Sequence, residues 1–144
     1  MLVSDILRNK GNAVVTIEPS VTVERLVALL AEHRIGAVVV SSDGVHVEGI
    51  VSERDVVQVL AAHGTAALSM PVGDLCSRDV VSVGTGDNVE QLMAVMTERR
   101  FRHLPVLEDG ELRGIVSIGD VVKSRLDDLE VERVALTDYI TTGR

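Results

Sequence analysis

Residues 49–57 read Gly-Ile-Val-Ser-Glu-Arg-Asp-Val-Val, and residues 114–122 repeat the pattern as Gly-Ile-Val-Ser-Ile-Gly-Asp-Val-Val. Each copy has a glycine, two β-branched apolar residues, a serine, and an aspartate three positions after the serine. An apolar run that ends in Ser-x-x-Asp predicts a buried strand followed by a capped helix. The chain therefore contains one structural unit twice, and its function depends on whether the two aspartates only cap helices or also bind a ligand.

The composition excludes several classes of protein. Among 144 residues, 22 acidic side chains outnumber 14 basic ones, and the net charge is −8. This balance counts against nucleic-acid binding, which requires clustered Lys and Arg. No apolar run approaches the roughly 20 residues that cross a bilayer, and no signal peptide is visible, so we expect no membrane association. The lone cysteine, Cys76, is typical of a protein of the reducing cytoplasm.

The same predicted elements precede both copies of the motif. Helices with apolar residues at i, i+3, i+4 and i+7 are predicted for residues 22–33 and 88–99. Short strands are predicted on both sides of these helices, at residues 14–17 and 37–40 in the first half and 80–83 and 104–107 in the second. Each unit thus reads β-α-β-β-α, and two such units bury together faces that neither buries alone. The fold class is α+β, or mixed α/β, with the two sheets packed together.

The end of the chain follows a different pattern. No Gly or Pro occurs from Val121 to Ile140, and the apolar residues of this stretch are spaced 4-3-7-4, at Val122, Leu126, Leu129, Leu136 and Ile140. This spacing predicts a long helix with a partly apolar stripe, packed either on its own domain or on a second subunit. We therefore divide the chain into a first repeat (1–65), a second repeat (66–125) and a C-terminal helical extension (126–144).

Two further segments identify a family resemblance. Residues 34–40 read Arg-Ile-Gly-Ala-Val-Val-Val, and residues 100–106 read Arg-Phe-Arg-His-Leu-Pro-Val, each at the same place before its Ser-x-x-Asp motif. Over residues 1–125 the chain resembles a tandem pair of cystathionine-β-synthase (CBS) domains, also called a Bateman module. The resemblance implies two repeats related by pseudo-two-fold symmetry. It also implies a stand-alone regulatory module, often paired as a disk-like homodimer.

The resemblance further implies a ligand and two clefts for it between the repeats. Members of this family commonly bind AMP, ADP, ATP or S-adenosylmethionine as regulatory ligands, with no cofactor required. The aspartate of each motif takes the ribose hydroxyls and the serine assists. The opposite repeat supplies the base surface and the basic phosphate contacts. Carried onto this chain, the first cleft comprises Ser52, Asp55, Val81, Val83, Arg102 and His103.

The second cleft carries less charge. It comprises Ser117 and Asp120, with Thr16 near the base, but its phosphate positions are Gly36 and Ala37. This departure puts phosphate binding there in doubt. The chemistry of the residues supports the same asymmetry, because a carboxylate accepts hydrogen bonds from both hydroxyls of a cis-diol, and Arg and His bind phosphate oxygens. Arg54 and Arg100 are further candidates for the first cleft.

Alternative interpretations stay open beside the sensor. Each Ser-x-x-Asp segment is also a capping box. The clefts of an adaptor would be empty, and its tail helix would dock a protein partner. The sequence gives no sign of an enzyme, because Cys76 lacks a suitably spaced histidine, the four histidines are scattered, and no phosphate-binding glycine loop occurs. We expect an energy-sensing regulatory module whose signal passes to an unidentified protein target or through a dimer rearrangement.

Overall fold

The computed structural model describes residues 1–11 and 13–142, and its helices and strands follow the predicted order twice. The first half contains α1 (Val3–Lys10), β1 (Thr16–Ile17), α2 (Val23–His33), β2 (Ala37–Val40), β3 (Gly49–Ser52) and α3 (Glu53–His63). Two 3₁₀ helices, Gly64–Ser69 and Val72–Asp74, connect the halves. The second half contains β4 (Val83–Gly84), α4 (Val89–Arg99), β5 (His103–Glu108), β6 (Glu111–Ser117) and α5 (Ile118–Thr142). The predicted α+β fold with a long C-terminal helix is confirmed.

Each half forms a three-stranded sheet of the same topology. β1 pairs in parallel with β2, which pairs antiparallel with β3, and β4, β5 and β6 repeat this arrangement. The strands predicted at residues 14–17 and 80–83 are too long, since β1 and β4 contain only two residues each. Val80 and Val81, which precede β4, lie outside the sheet and line a cavity between the halves.

The two hydrophobic cores exchange their opening segments. Val3, Ile6 and Leu7 of α1 are buried in the core around the second sheet, whereas Val72 is buried in the core around the first sheet. Backbone hydrogen bonds fix the exchange, from the Val3 N–H to the Asp87 carbonyl at 2.9 Å and from the Val72 N–H to the Val21 carbonyl at 2.8 Å. Each buried aliphatic side chain contributes about 1.5–3 kcal/mol. The halves therefore stabilise each other, and the end of α1 lies beside the second repeat.

The glycine that opens each motif permits this close packing. A Cβ atom on Gly49 would lie 2.8 Å from both Cys76 Sγ and the Ser77 carbonyl oxygen, and one on Gly114 would lie 2.5 Å from Leu7 Cδ2. Real Cβ contacts are longer, so larger residues at these positions would displace the exchanged segments.

Helix α5 packs on its own chain only through its first turns. Val121 and Ser124 are buried, and Arg125 lies 3.4 Å from Glu90 of α4. Farther along the helix the stripe is open to solvent, with Leu126 60%, Leu136 60% and Ile140 71% exposed. The described helices, α5 included, all lack the combination of length and apolar character needed to cross a bilayer.

Candidate functional site

A cavity of about 330 Å³ lies between the two halves. One wall is the junction of β3 and α3, the opposite wall is the corner between α4 and β5, and the segment before β4 supplies apolar surface. Seven residues predicted from the sequence for ligand binding line this cavity: Ser52, Arg54, Asp55, Val81, Arg100, Arg102 and His103. The structure thus brings together residues about 50 positions apart in the chain.

The other predicted site residues lie elsewhere. Val83 is buried in the second core and does not line the cavity. Thr16 lies in β1 opposite Val39, and Ser117 and Asp120 lie at the junction of β6 and α5. Sequence reasoning did not identify Glu53, Asp79 or Phe101, which also line the cavity. Glu53 and Phe101 are adjacent to predicted site residues, whereas Asp79 carries no sequence signal.

Asp55 caps α3 and keeps one carboxylate oxygen available. The Ser52 N–H donates to Asp55 Oδ2 at 2.8 Å, and the Ser52 hydroxyl donates to the same oxygen at 3.1 Å. The Asp55 N–H in turn donates to Ser52 Oγ at 3.4 Å, which completes a capping box. Within residues 1–11 and 13–142, Asp55 Oδ1 receives no protein hydrogen bond. This oxygen is a free acceptor at the cavity wall.

Three arginines give the cavity a cationic wall. Arg54, Arg100 and Arg102 line it, and in the described part of the chain none of the three forms an ion pair. Guanidinium groups bind phosphate and carboxylate oxygens in a bidentate manner. Three carboxylates line the cavity as well, at Glu53, Asp55 and Asp79, so its charge is mixed. This composition fits a ligand with both hydroxyl and anionic groups.

His103 lies half-buried where the two repeats meet. Its Cε1 atom lies 3.4 Å from the position that a Cβ atom on Gly36 would take, so the imidazole ring lies beside the backbone that enters β2. Burial lowers the pKa of His103 below its usual value, and the positive charge of Lys10 lowers it further. Asp120 and Glu53 oppose this shift without reversing it. In the ligand-free protein, the His103 side chain is therefore mostly neutral at pH 7.

The junction of β6 and α5 has the same capping box with an added cation. The Ser117 N–H donates to Asp120 Oδ2 at 2.9 Å, and the Asp120 N–H donates to Ser117 Oγ at 3.1 Å. Lys10 Nζ also donates to Asp120 Oδ2, at 2.7 Å. Burial alone would raise the pKa of Asp120, but the bonds from Lys10 and Ser117 outweigh burial and lower it. Asp120 is therefore an ion-paired carboxylate.

The His, Cys, Asp and Glu side chains of the described residues are dispersed. Across residues 1–11 and 13–142, no three His, Cys, Asp or Glu side chains are grouped so that they could hold a metal ion. The cysteine, Cys76, is half-buried beside Gly49, and burial raises the pKa of its thiol.

Comparisons with known proteins agree with the fold. The family model described as CBS domain matches residues 3–62 and 72–127. A mitochondrial CBS domain-containing protein of Arabidopsis thaliana is 32% identical, over 98% of this chain and 72% of its own length. The crystal structure of a CBS-domain containing protein from Agrobacterium tumefaciens is 47% identical with a TM-score of 0.83, covering 87% of this chain and 99% of that one.

A third similar protein carries a ligand. The CBS domain protein of Pyrobaculum aerophilum, solved in complex with AMP, is 26% identical with a TM-score of 0.74, covering 83% of this chain and 89% of that one. Two matched repeats and relatives of this similarity identify the family. The chain belongs to the CBS-domain family as a tandem pair.

Proposed function

We propose that this pair of CBS domains is a regulatory module that binds an adenine nucleotide (AMP, ADP or ATP) in the cavity between its repeats. The observation that carries the proposal is a free Asp55 carboxylate oxygen in the same cavity as three unpaired arginines. The cavity volume of about 330 Å³ lies within the range of small-molecule sites. The AMP complex of the similar Pyrobaculum aerophilum protein supports the same ligand class.

Each part of a nucleotide has a chemical partner in this cavity. Asp55 accepts hydrogen bonds from the ribose hydroxyls, and Ser52 holds the carboxylate in place. The adenine ring packs on the apolar surface of Ile50 and Val81. The phosphates meet Arg102 and the other two arginines of the cationic wall, where charge-assisted hydrogen bonds are strong.

The charge of the cavity favours a nucleotide over S-adenosylmethionine. Both ligands offer the ribose diol and the adenine ring. S-adenosylmethionine carries two cationic groups and one carboxylate, so it offers the three unpaired guanidinium groups a single anionic partner. A nucleotide instead carries the phosphate that these groups bind. We therefore infer a phosphorylated ligand and, because AMP and ATP levels report the energy state, an energy-sensing role in the cytoplasm.

Isothermal titration with matched variants tests this function. AMP, ADP, ATP and S-adenosylmethionine are titrated into the wild type, Asp55→Asn and Asp120→Asn. Asparagine keeps an oxygen for the helix cap but loses the charge and part of the acceptor capacity. We expect one of the nucleotides to bind the wild type and Asp120→Asn with a Kd on the order of micromolar, and Asp55→Asn to lose binding. Equal binding by Asp55→Asn would refute the site. No heat with any ligand would favour a protein-binding adaptor.

We also propose that a second copy of this chain covers the exposed stripe of α5. Leu126, Leu129, Leu136 and Ile140 follow the alternating spacing of a coiled-coil seam, and each is at least 44% exposed. Arg133 interrupts the stripe and pairs with Glu130 of its own helix. A row of exposed leucines of this kind is typical of an interaction surface. In such a dimer, a ligand-induced change in one subunit would pass to the other subunit or to a protein target.

Sedimentation velocity tests the dimer with two variants of one helix. Leu136→Glu places a charge in the stripe, whereas Val131→Glu places one on the opposite face, at a residue that is 68% exposed. We expect a dimer for the wild type and Val131→Glu, and a monomer for Leu136→Glu. A monomeric wild type, or a dimer that Leu136→Glu leaves intact, would contradict this assembly.

A further inference from the structure

We propose that Lys10 closes the second cleft by occupying Asp120, so that each chain binds one nucleotide, at Asp55. This inference rests on the proposed function and adds the residue that sets the stoichiometry. Lys10 ends α1, which packs against the second repeat because the two cores exchange their opening segments. The exchange brings its ammonium group to the junction of β6 and α5.

The ammonium group of Lys10 makes two contacts at this junction. Nζ donates to Asp120 Oδ2 at 2.7 Å and to the carbonyl oxygen of Ile115 at 2.9 Å. Lys10 and Asp120 are partly buried, with their side chains 37% and 24% exposed. Within residues 1–11 and 13–142, Asp120 Oδ1 receives no protein hydrogen bond, as is also true of Asp55 Oδ1. Lys10 therefore differs from a cap in neutralising the carboxylate and in filling the space beside its Oδ2.

The first repeat satisfies the equivalent carbonyl without a cation. Ile50 corresponds to Ile115 in the repeated motif, and the Ile50 carbonyl accepts the Ser77 N–H at 2.9 Å. A backbone amide thus takes the place that Lys10 Nζ takes in the second repeat. No ammonium or guanidinium group of residues 1–11 and 13–142 pairs with Asp55. The two capping boxes are alike, and Lys10 is what distinguishes their carboxylates.

Lys10 competes with a ribose for the Asp120 carboxylate. Charge-assisted hydrogen bonds are roughly twice as strong as neutral ones, and the hydroxyl groups of a ribose are neutral. A nucleotide entering there would have to displace Lys10 from Asp120. In the repeated sequence Gly36 and Ala37 correspond to Arg102 and His103, so the first repeat has no basic side chain at these two positions, and the structure places both residues in the wall of the first cavity. A ligand in the second cleft would therefore have to break an ion pair for which its ribose offers no replacement charge, and we expect weaker binding there.

Titration stoichiometry on the full chain tests this inference. Lys10→Met keeps the length of the side chain and removes its charge. The other lysine of the chain, Lys123, is exposed on α5, so Lys123→Met is a matched control. With the nucleotide that binds the wild type as the probe, we expect one site per chain in the wild type and Lys123→Met. Lys10→Met should gain a second, weaker site, and adding Asp120→Asn should remove it.

Three outcomes would overturn the inference. Two sites in the wild type, or one site in a folded Lys10→Met, would refute the role of Lys10 and leave the Asp55 site standing. No binding by any of these proteins would overturn the proposed function, and the inference with it.

A measurement on the wild type covers the case in which Lys10→Met does not fold. Amine acetylation followed by mass spectrometry compares the rates at Lys10 and Lys123. We expect Lys10 to react more slowly, and saturating nucleotide to leave its rate unchanged. Faster acetylation of Lys10 in the presence of nucleotide would show that the ligand displaces it, and would overturn the inference.

Discussion

The two Ser-x-x-Asp junctions of this protein have the same backbone and different surroundings. Each aspartate accepts a hydrogen bond from the backbone N–H of the serine three residues earlier, at 2.8 Å for Asp55 and 2.9 Å for Asp120. Asp55 faces a cavity with three unpaired arginines, whereas Asp120 is paired with Lys10. The repeated motif determines how each helix begins. Residues outside the motif determine what each carboxylate meets, a cavity at Asp55 and an ammonium group at Asp120.

The largest expected effect comes from removing a charge that only the first cleft has. Arg102→Ala should weaken AMP binding about 10- to 100-fold, since hydrogen bonds to charged groups contribute about 1.5–3 kcal/mol. Adenosine lacks the phosphate, so its affinity should stay the same. Titration calorimetry with both ligands measures the difference, and Arg25→Ala on the exposed face of α2 is the control. An equal loss for adenosine would show that Arg102 supports the fold of the cavity and does not bind phosphate.

The exchanged segments provide a second contrast between the halves. Gly49→Ala would push a methyl group against the Ser77 backbone, which is itself paired with Ile50, so it should cost about 1–3 kcal/mol of unfolding free energy. Gly114→Ala meets the flexible end of Leu7 and should cost less, about 1 kcal/mol. Urea unfolding of the two variants gives the order. A larger loss for Gly114→Ala would mean that α1 packs more rigidly than the segment around Ser77.

The sequence was sufficient wherever a local rule decides the structure. Thr22 and Asn88 were predicted to begin helices and do cap α2 and α4 with their side chains. The apolar spacing of these helices also gave their buried faces. β1 and β4 were predicted too long because strand length depends on a partner strand, which apolar character alone does not reveal.

The candidate site was less accessible from local patterns. Ser52 and Arg102 lie together in the cavity, but only the family resemblance connected them, since no local rule joins residues 50 positions apart. Lys10 was missed for the same reason. Its partner Asp120 is 110 positions away, and the two meet only because α1 crosses to the second core. Val83 was assigned to the first cleft, but it faces the second core, where the alternation of β4 places it.

The smallest expected effect is a pH dependence that links the two clefts through His103. Its pKa is lowered by burial and by Lys10, while Asp120 and Glu53 oppose the shift and Arg102 adds to it. Between this lowered pKa and the ordinary value of about 6.5, the unfolded chain binds a proton that the folded chain does not. The stability from this group is therefore present above pH 6.5 and is lost as the pH falls. Asp43 raises the pKa of His46, so His46 changes the stability with pH in the opposite direction. The contribution of His103 is therefore the difference in unfolding free energy between the wild type and His103→Asn at each pH.

A bound phosphate should reverse the shift of His103. A phosphate beside the imidazole stabilises its protonated form, so the pKa of His103 should rise when AMP binds and stay low with adenosine. NMR titration of the histidine ring protons measures this, and the missing signal of His103→Asn assigns the resonance. Lys10→Met should raise the pKa of His103 in the ligand-free protein too, because Lys10 is the charged group that lowers this pKa most. If AMP leaves the pKa of His103 unchanged, the phosphate binds elsewhere in the cavity. If Lys10→Met leaves it unchanged, the charge of Lys10 does not affect His103 and the two clefts are not linked through these residues.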